Sequence, residues 1–103
     1  MPQLNQRDAA HYIATREEFK ASALTGTTYS QGCGRLNVQE LDKFINDLTS
    51  DKINFFVYSY GTPIAWHTAE GWYVVEQKFT PTTSKHQNLT RRAIAESLEG
   101  ATV

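Results

Sequence analysis

The chain has one cysteine, Cys33, and therefore no intramolecular disulfide; the disulfide-framed secreted modules are excluded. Charge of one sign is also missing. Ten basic and eleven acidic residues leave a formal net charge of −1 and a pI near 6.3. Nothing global favours DNA or an acidic membrane, so any polyanion binding must come from a local patch. No apolar run approaches the roughly 20 residues that cross a bilayer. The first fifteen residues, MPQLNQRDAAHYIAT, lack the basic start and apolar run of a signal peptide, and the expected setting is intracellular. P-loop, dinucleotide fingerprint and G-x-S-x-G elbow are all absent, and His11, His67 and His86 are scattered rather than spaced as ligands. Neither a metal site nor a cofactor is expected. A glycine-flanked cysteine in a loop is usually inert, so Cys33 is not expected to be a nucleophile, and the chain reads as non-enzymatic.

What is present is one domain of ordinary globular composition. The 103 residues are 40% hydrophobic and 20% charged, enough for a single core. The stretch from Ile53 to Phe79 holds both tryptophans and most of the other aromatic residues. It reads as a three-stranded antiparallel β-meander over about 52–60, 64–68 and 72–79, turned at Gly61-Thr62-Pro63 and Ala69-Glu70-Gly71. Its first strand puts Ile53, Phe55 and Val57 on one face and Phe56, Tyr58 and Tyr60 on the other. A strand apolar on both sides is covered twice. The second strand pairs Ile64 with Trp66 and Ala65 with His67.

Helices are expected on both flanks, giving an α+β fold with helices at about 16–23, 38–48 and 85–98. Residues 1–14 read as a short helix from about Arg7, with Ala9, Ala10, Ile13 and Ala14 on one face, or as a mobile arm. Thr15 and Glu18 have capping-box spacing and open the helix at 16–23. Thr25–Arg35, punctuated by Gly26, Gly32 and Gly34, reads as a solvated loop pinned by Tyr29. Asn37 and Glu40 repeat the capping spacing. Val38, Leu41, Phe44, Ile45 and Leu48 then form an apolar stripe matched to the Ile53/Phe55/Val57 face, while Glu40, Lys43, Asn46 and Asp47 face water. Thr49-Ser50-Asp51 ends that helix. Ser84 and Gln87 start the last one, which buries Leu89, Ala93, Ile94 and Leu98 and stops before Gly100.

The informative polar segment is Lys78–Arg92. It has no acidic residue, carries Lys78, Lys85, Arg91 and Arg92, and adds the titratable His86. Thr82, Thr83 and Ser84 sit where the last helix begins. A helix start with free N–H groups, hydroxyls and a lysine suits an anion or phosphate. Lys85, Asn88 and Arg92 share one face at i, i+3 and i+7, suited to a phosphate or a nucleic-acid backbone. The plain alternative is that Ser84 and Thr83 only cap the helix and the charges are a solvated face. A second candidate surface is aromatic: Phe56, Tyr58 and Tyr60, with His67 and Tyr73 alongside and Trp66 a further binding candidate, can stack bases or fill a partner's pocket, or serve as core under a helix.

The blocks Ser59-Tyr60-Gly61-Thr62-Pro63-Ile64-Ala65-Trp66, Gly71-Trp72 and Thr82-Thr83-Ser84-Lys85-His86-Gln87, with Arg16–Lys20 and Thr25-Gly26 upstream, resemble the recurring core of small proteins carried by phages of actinobacteria and related mobile elements. The resemblance implies an accessory phage gene product in a bacterial cytoplasm and no particular activity. The function expected first is binding of a host macromolecule, a defence or nucleic-acid-processing component. The alternatives are sequestration of a nucleotide or other phosphate ligand at the 82–92 helix start, with Gln87, Arg91 and Arg92 among the candidates, and weak nucleic-acid binding. A three-stranded sheet leaves edges to cover, so a homodimer is a further expectation.

Overall fold

In the computed structural model, which describes residues 6–50 and 53–95, the meander has five strands rather than three. Helix α1 (Gln6–Thr15) leads into β1 (Phe19–Ala21) and β2 (Leu24–Thr27). Helix α2 (Val38–Thr49) follows, then β3 (Ile53–Ser59), β4 (Thr62–Thr68), β5 (Gly71–Val74) and α3 (Pro81–Ala95). The strands lie in sequence order, β1-β2-β3-β4-β5, each antiparallel to its neighbour. The class is α+β as expected. Among the described residues no helix is long and apolar enough to cross a membrane. The expected continuation of the last helix to Leu98, its Gly100 stop, the strand start at Lys52, Asp51 and residues 1–5 lie outside the described residues.

Of the two additional strands, β1 replaces the helix expected at 16–23 and β2 the start of the loop expected over Thr25–Arg35. The helical reading of residues 7–14 is the one that forms, and it ends where the next helix was expected to begin. Arg16 adopts a left-handed backbone (φ 56°). Its N–H bonds to Ile13 O at 3.1 Å and that of Glu17 to Tyr12 O at 2.9 Å, the paired bonds of a Schellman stop. Thr15 accordingly closes a helix, its hydroxyl donating to His11 O and to the Glu17 carboxylate. Beyond it burial alternates, with Phe19 and Ala21 inside and Lys20 outside, because β2 offers a free edge of hydrogen-bonding groups. Tertiary pairing overrides the helix propensity of the alanines. Gly26, assigned from sequence to a loop, is buried in β2 opposite Phe19.

Glu18, the other half of the expected capping box, ties the end of β2 instead. Its Oε2 accepts the Thr28 N–H at 3.1 Å, the Thr28 hydroxyl at 3.1 Å and the Thr27 hydroxyl at 3.2 Å. The Thr28 backbone N–H is the chief reason its carboxyl lies below the usual 4.5. A depressed folded value stabilises above the unfolded value and is lost as pH falls through the folded one. Glu18→Gln is therefore expected to flatten the fall in urea midpoint below about pH 4.5. An acid limb as steep in the variant as in the parent would contradict this.

Two bulges set which face of the sheet each side chain takes. In the β3–β4 register Asn54 is extra on β3 and Ile64 extra on β4, and each bulge reverses the alternation. Ile53 therefore joins Phe56 and Tyr58, while Ile64 and Ala65 both join Phe55 and Val57. Trp66 is thrown to the opposite face from Ile64, contrary to strict alternation. The helices are exchanged relative to the sequence expectation as well. Helices α1 and α3 cover Phe55, Val57 and Ile64 through Ala9, Ile13, Ala93 and Leu89. Helix α2 covers Phe56, Tyr58 and Trp66 through Phe44 and Leu48, with Phe44 edge-on to Trp66 at 5.0 Å.

Helix α2 is capped as expected, Asn37 Oδ1 accepting from Glu40 N at 2.9 Å, but it is rolled about its axis. Val38 is 74% and Ile45 45% exposed, whereas Glu40 and Asp47 are buried. The sheet beneath supplies donors that need acceptors away from water. The Tyr73 hydroxyl and the Glu76 N–H both donate to Glu40, and Trp66 Nε1 donates to Asp47 at 2.9 Å. Burial, then the Glu40 carboxylate, push the Tyr73 phenol well above its usual range.

Candidate functional site

One end of the sheet opens into a cavity of about 470 Å³ lined by Arg35, Ser59, Tyr60, Thr62, Phe79, Thr80, Thr82 and Thr83. Four local structures converge on it. Tyr60 and Gly61 are the central residues of the two-residue β3–β4 hairpin, and both have positive φ, 52° and 78°, the requirement of a type I′ turn. Ser59 and Thr62 pair across that hairpin and so stand side by side at the cavity.

The first turn of α3 forms the opposite wall. Thr80 is its cap: its Oγ1 accepts the Thr83 N–H at 3.3 Å and its carbonyl the Ser84 N–H at 2.9 Å. Pro81 follows at the first helical position, where a missing N–H costs nothing. The helix therefore starts four residues earlier than Lys85, and Ser84 with Gln87 is not its capping box. Gln87 is buried, its amide donating to Val75 O at 2.8 Å and Gln77 O at 3.2 Å. This pins the connector from β5 to α3.

Arg35 arrives from the loop after β2. Its N–H donates to the Thr62 hydroxyl at 3.0 Å, and Gln77 Nε2 donates to its carbonyl at 3.0 Å. The loop is held by Tyr58 rather than by Tyr29, which is 55% exposed. The Tyr58 hydroxyl accepts from Gln31 N at 2.8 Å and donates to Gly32 O at 3.0 Å. Gly34, at φ 51°, lets the loop press against the hairpin backbone at Gly61 and Thr62.

The floor of the cavity is a hydroxyl–imidazole chain. Ser59 Oγ lies 2.7 Å from His86 Nδ1 and 3.3 Å from Thr83 Oγ1, which in turn lies 3.3 Å from Thr80 Oγ1. His86 is 1% exposed, and burial lowers its pKa, favouring the neutral imidazole. The Tyr60 ring, 64% exposed, stacks on it at 6.1 Å with an interplanar angle of 26°. Among the described residues no carboxylate lines the cavity. The positive end of α3 and the Arg35 guanidinium give it one sign of charge.

The sequence candidates divide accordingly. Tyr60, Thr82 and Thr83 line the cavity and His86 backs it. Ser84 is half-buried beside it. Lys85, Arg91 and Arg92 are exposed and outside the lining; Arg91 reaches Asn88 Oδ1 at 3.3 Å and Val75 O at 3.4 Å. Tyr58 and Trp66 are buried beneath α2 and offer no stacking surface. His67 lies elsewhere, bonded through Nδ1 to Asn54 at 2.9 Å and edge-on to Trp72. Cys33 is exposed in the loop. Among the described residues no group of three or more His, Cys, Asp or Glu could hold a metal ion. Arg35, Ser59, Thr62, Phe79 and Thr80 were missed. Ser59 and Thr62 stood within the first resemblance block, and only the structure shows that this block and Thr82–Gln87 meet at one cavity.

A model of a protein family described as "Family of unknown function (DUF8033)" matches residues 8–97. The chain belongs to this family. The DUF8033 match takes in all but the first two residues of α1, all five strands, α2 and α3, and so every residue of the cavity. No curated protein matches the chain, and no solved structure does.

Proposed function

We propose that this DUF8033 member is a phage accessory protein that binds a small phosphate-bearing ligand of nucleotide size in the cavity. One observation carries the reading: an open cavity at the start of α3 is lined by Arg35 and by the hydroxyl residues Ser59, Thr62, Thr80, Thr82 and Thr83, with no carboxylate among the described residues. Its volume lies within the range of about 300–1,000 Å³ usual for ligand pockets. The exposed Tyr60 ring at its mouth suits a planar base. The phosphate sits at the helix start beside Arg35, which accounts for both the charge and the hydroxyls.

A thermal-shift and calorimetric screen of inorganic phosphate and nucleoside mono-, di- and triphosphates tests it. Ligand at a hundred times its Kd stabilises by about 2.7 kcal/mol, a rise of roughly 10 °C or more for a domain this size. Arg35→Ala is expected to weaken binding at least about tenfold, as loss of a charged hydrogen bond does. Absence of any shift at millimolar ligand would overturn the reading. A second reading, docking of a host macromolecule, draws on the outer face of α2, where Val38 and Ile45 are exposed at i and i+7. Val38→Asp with Ile45→Asp would abolish capture of such a partner and leave nucleotide binding intact.

A further inference from the structure

We propose that Ser59 is a nucleophile and His86 its general base, and that the cavity hydrolyses a carboxylic ester of a phosphate-bearing alcohol. This rests on the reading of the cavity as a phosphate site and adds turnover to it. The Ser59 hydroxyl and His86 Nδ1, 2.7 Å apart, come from the end of β3 and the second turn of α3. That distance is within the reach a nucleophile and its base require. A buried serine–histidine bond often serves only to lock a helix on a sheet. Here the serine, though only 1% exposed, belongs to the wall of an open cavity, its base is held neutral by burial, and the Tyr60 ring lies near-parallel to the imidazole at 6.1 Å. The Thr83 hydroxyl, 3.3 Å from Ser59 Oγ, is a donor beside the place where charge develops on a carbonyl oxygen. Arg35, across the cavity, takes the phosphate of the alcohol.

The chemistry needs no reactant besides water. Ser59 Oγ attacks the ester carbon while His86 Nδ1 takes its proton, and the carbonyl electron pair moves onto oxygen beside α3. Re-formation of the carbonyl breaks the bond to the alcohol oxygen, which leaves with the proton from His86. Water then gives a proton to His86, attacks the Ser59 acyl ester and releases the carboxylic acid, and the proton returns to Ser59.

The test is labelling of the full chain with a fluorophosphonate probe, read by intact mass and peptide mapping, together with release of 4-nitrophenol from 4-nitrophenyl acetate. One adduct per chain on Ser59 is expected, with labelling and release slowed about 100-fold or more by His86→Gln, the usual worth of a general base. Wild-type chain that is folded by circular dichroism yet unlabelled, or labelled elsewhere, overturns the proposal, as does a folded His86→Gln chain labelled at the wild-type rate. The wild-type map needs no variant to fold. A nucleotide-induced rise in Tm without labelling overturns the dyad and leaves the binding reading standing. Labelling of Ser59 without any nucleotide effect overturns the phosphate site and, with it, the substrate class named here.

Discussion

Trp66→Ala is expected to lower the unfolding free energy by about 3–5 kcal/mol, the usual cost of emptying an aromatic core site, a large share of the 5–15 kcal/mol that holds a domain together. Trp66 is 0% exposed and belongs to the cluster of Phe44, Phe56, Tyr58 and Val75 under α2. It lies 5.0 Å from the Phe44 ring and 5.0 Å from the Tyr73 ring. It is also the donor to buried Asp47, at 2.9 Å. The two contributions separate by substitution. Trp66→Phe keeps much of the volume and removes the N–H, leaving one Asp47 oxygen without its buried donor, at about 1–3 kcal/mol. Lys43 still holds that carboxylate at 3.2 Å, which keeps the loss toward the lower figure. Urea midpoints for Trp66→Phe and Trp66→Ala decide the matter. A Phe variant as stable as the parent would show that the bond to Asp47 contributes nothing net.

Asp47 also shows where the sequence stopped being legible. Its charge and its place beside Asn46 gave every reason to set it in water, since an unpaired carboxylate is costly to bury. What reverses the sign is a donor 19 residues away, on a strand whose facing is itself changed by a bulge at Ile64. Periodicity within α2 could not see that donor, so the apolar stripe was found and its roll about the axis was not. The same holds for β1 and β2. Residues 16–23 look helical from the capping-box spacing of Thr15 and Glu18, and only the free edge of β3 makes a hairpin of Phe19–Ala21 and Leu24–Thr27. The three central strands, the turn at 69–71 and the cap at Asn37 were legible because each rests on local chemistry. The first turn, by contrast, falls at Tyr60-Gly61 rather than Gly61-Thr62-Pro63, β5 ends at Val74 rather than 79, and the helix at 7–14 was one of two readings. The cavity was half legible: Thr82 and Thr83 announce a helix start, whereas Arg35 reaches it through the fold of a glycine-punctuated loop that carries no charge pattern of its own.

Gly26→Val is expected to cost about 3 kcal/mol, at the upper end of overpacking in a closed core, and Gly26→Ala somewhat less. The reason is space rather than backbone freedom. Gly26 is not among the positive-φ glycines, so the strand conformation there is open to any residue. A Cβ on it, however, would lie 2.8 Å from Cζ of Phe55 and closer still to the Phe19 ring. Phe19 is its partner across the β1–β2 ladder and is 0% exposed, so the ring fills the space the glycine leaves and has no room to swing out. A strain carried by that ring is relieved by shortening it. Phe19→Ala alone is expected to cost about 3–5 kcal/mol; combined with Gly26→Ala, the total should fall short of the sum of the singles by about 1–3 kcal/mol, the coupling expected of residues in contact. Strict additivity in urea unfolding would mean that the glycine answers to the backbone after all. Coupling would place the closure of β1 onto the sheet on this one missing side chain.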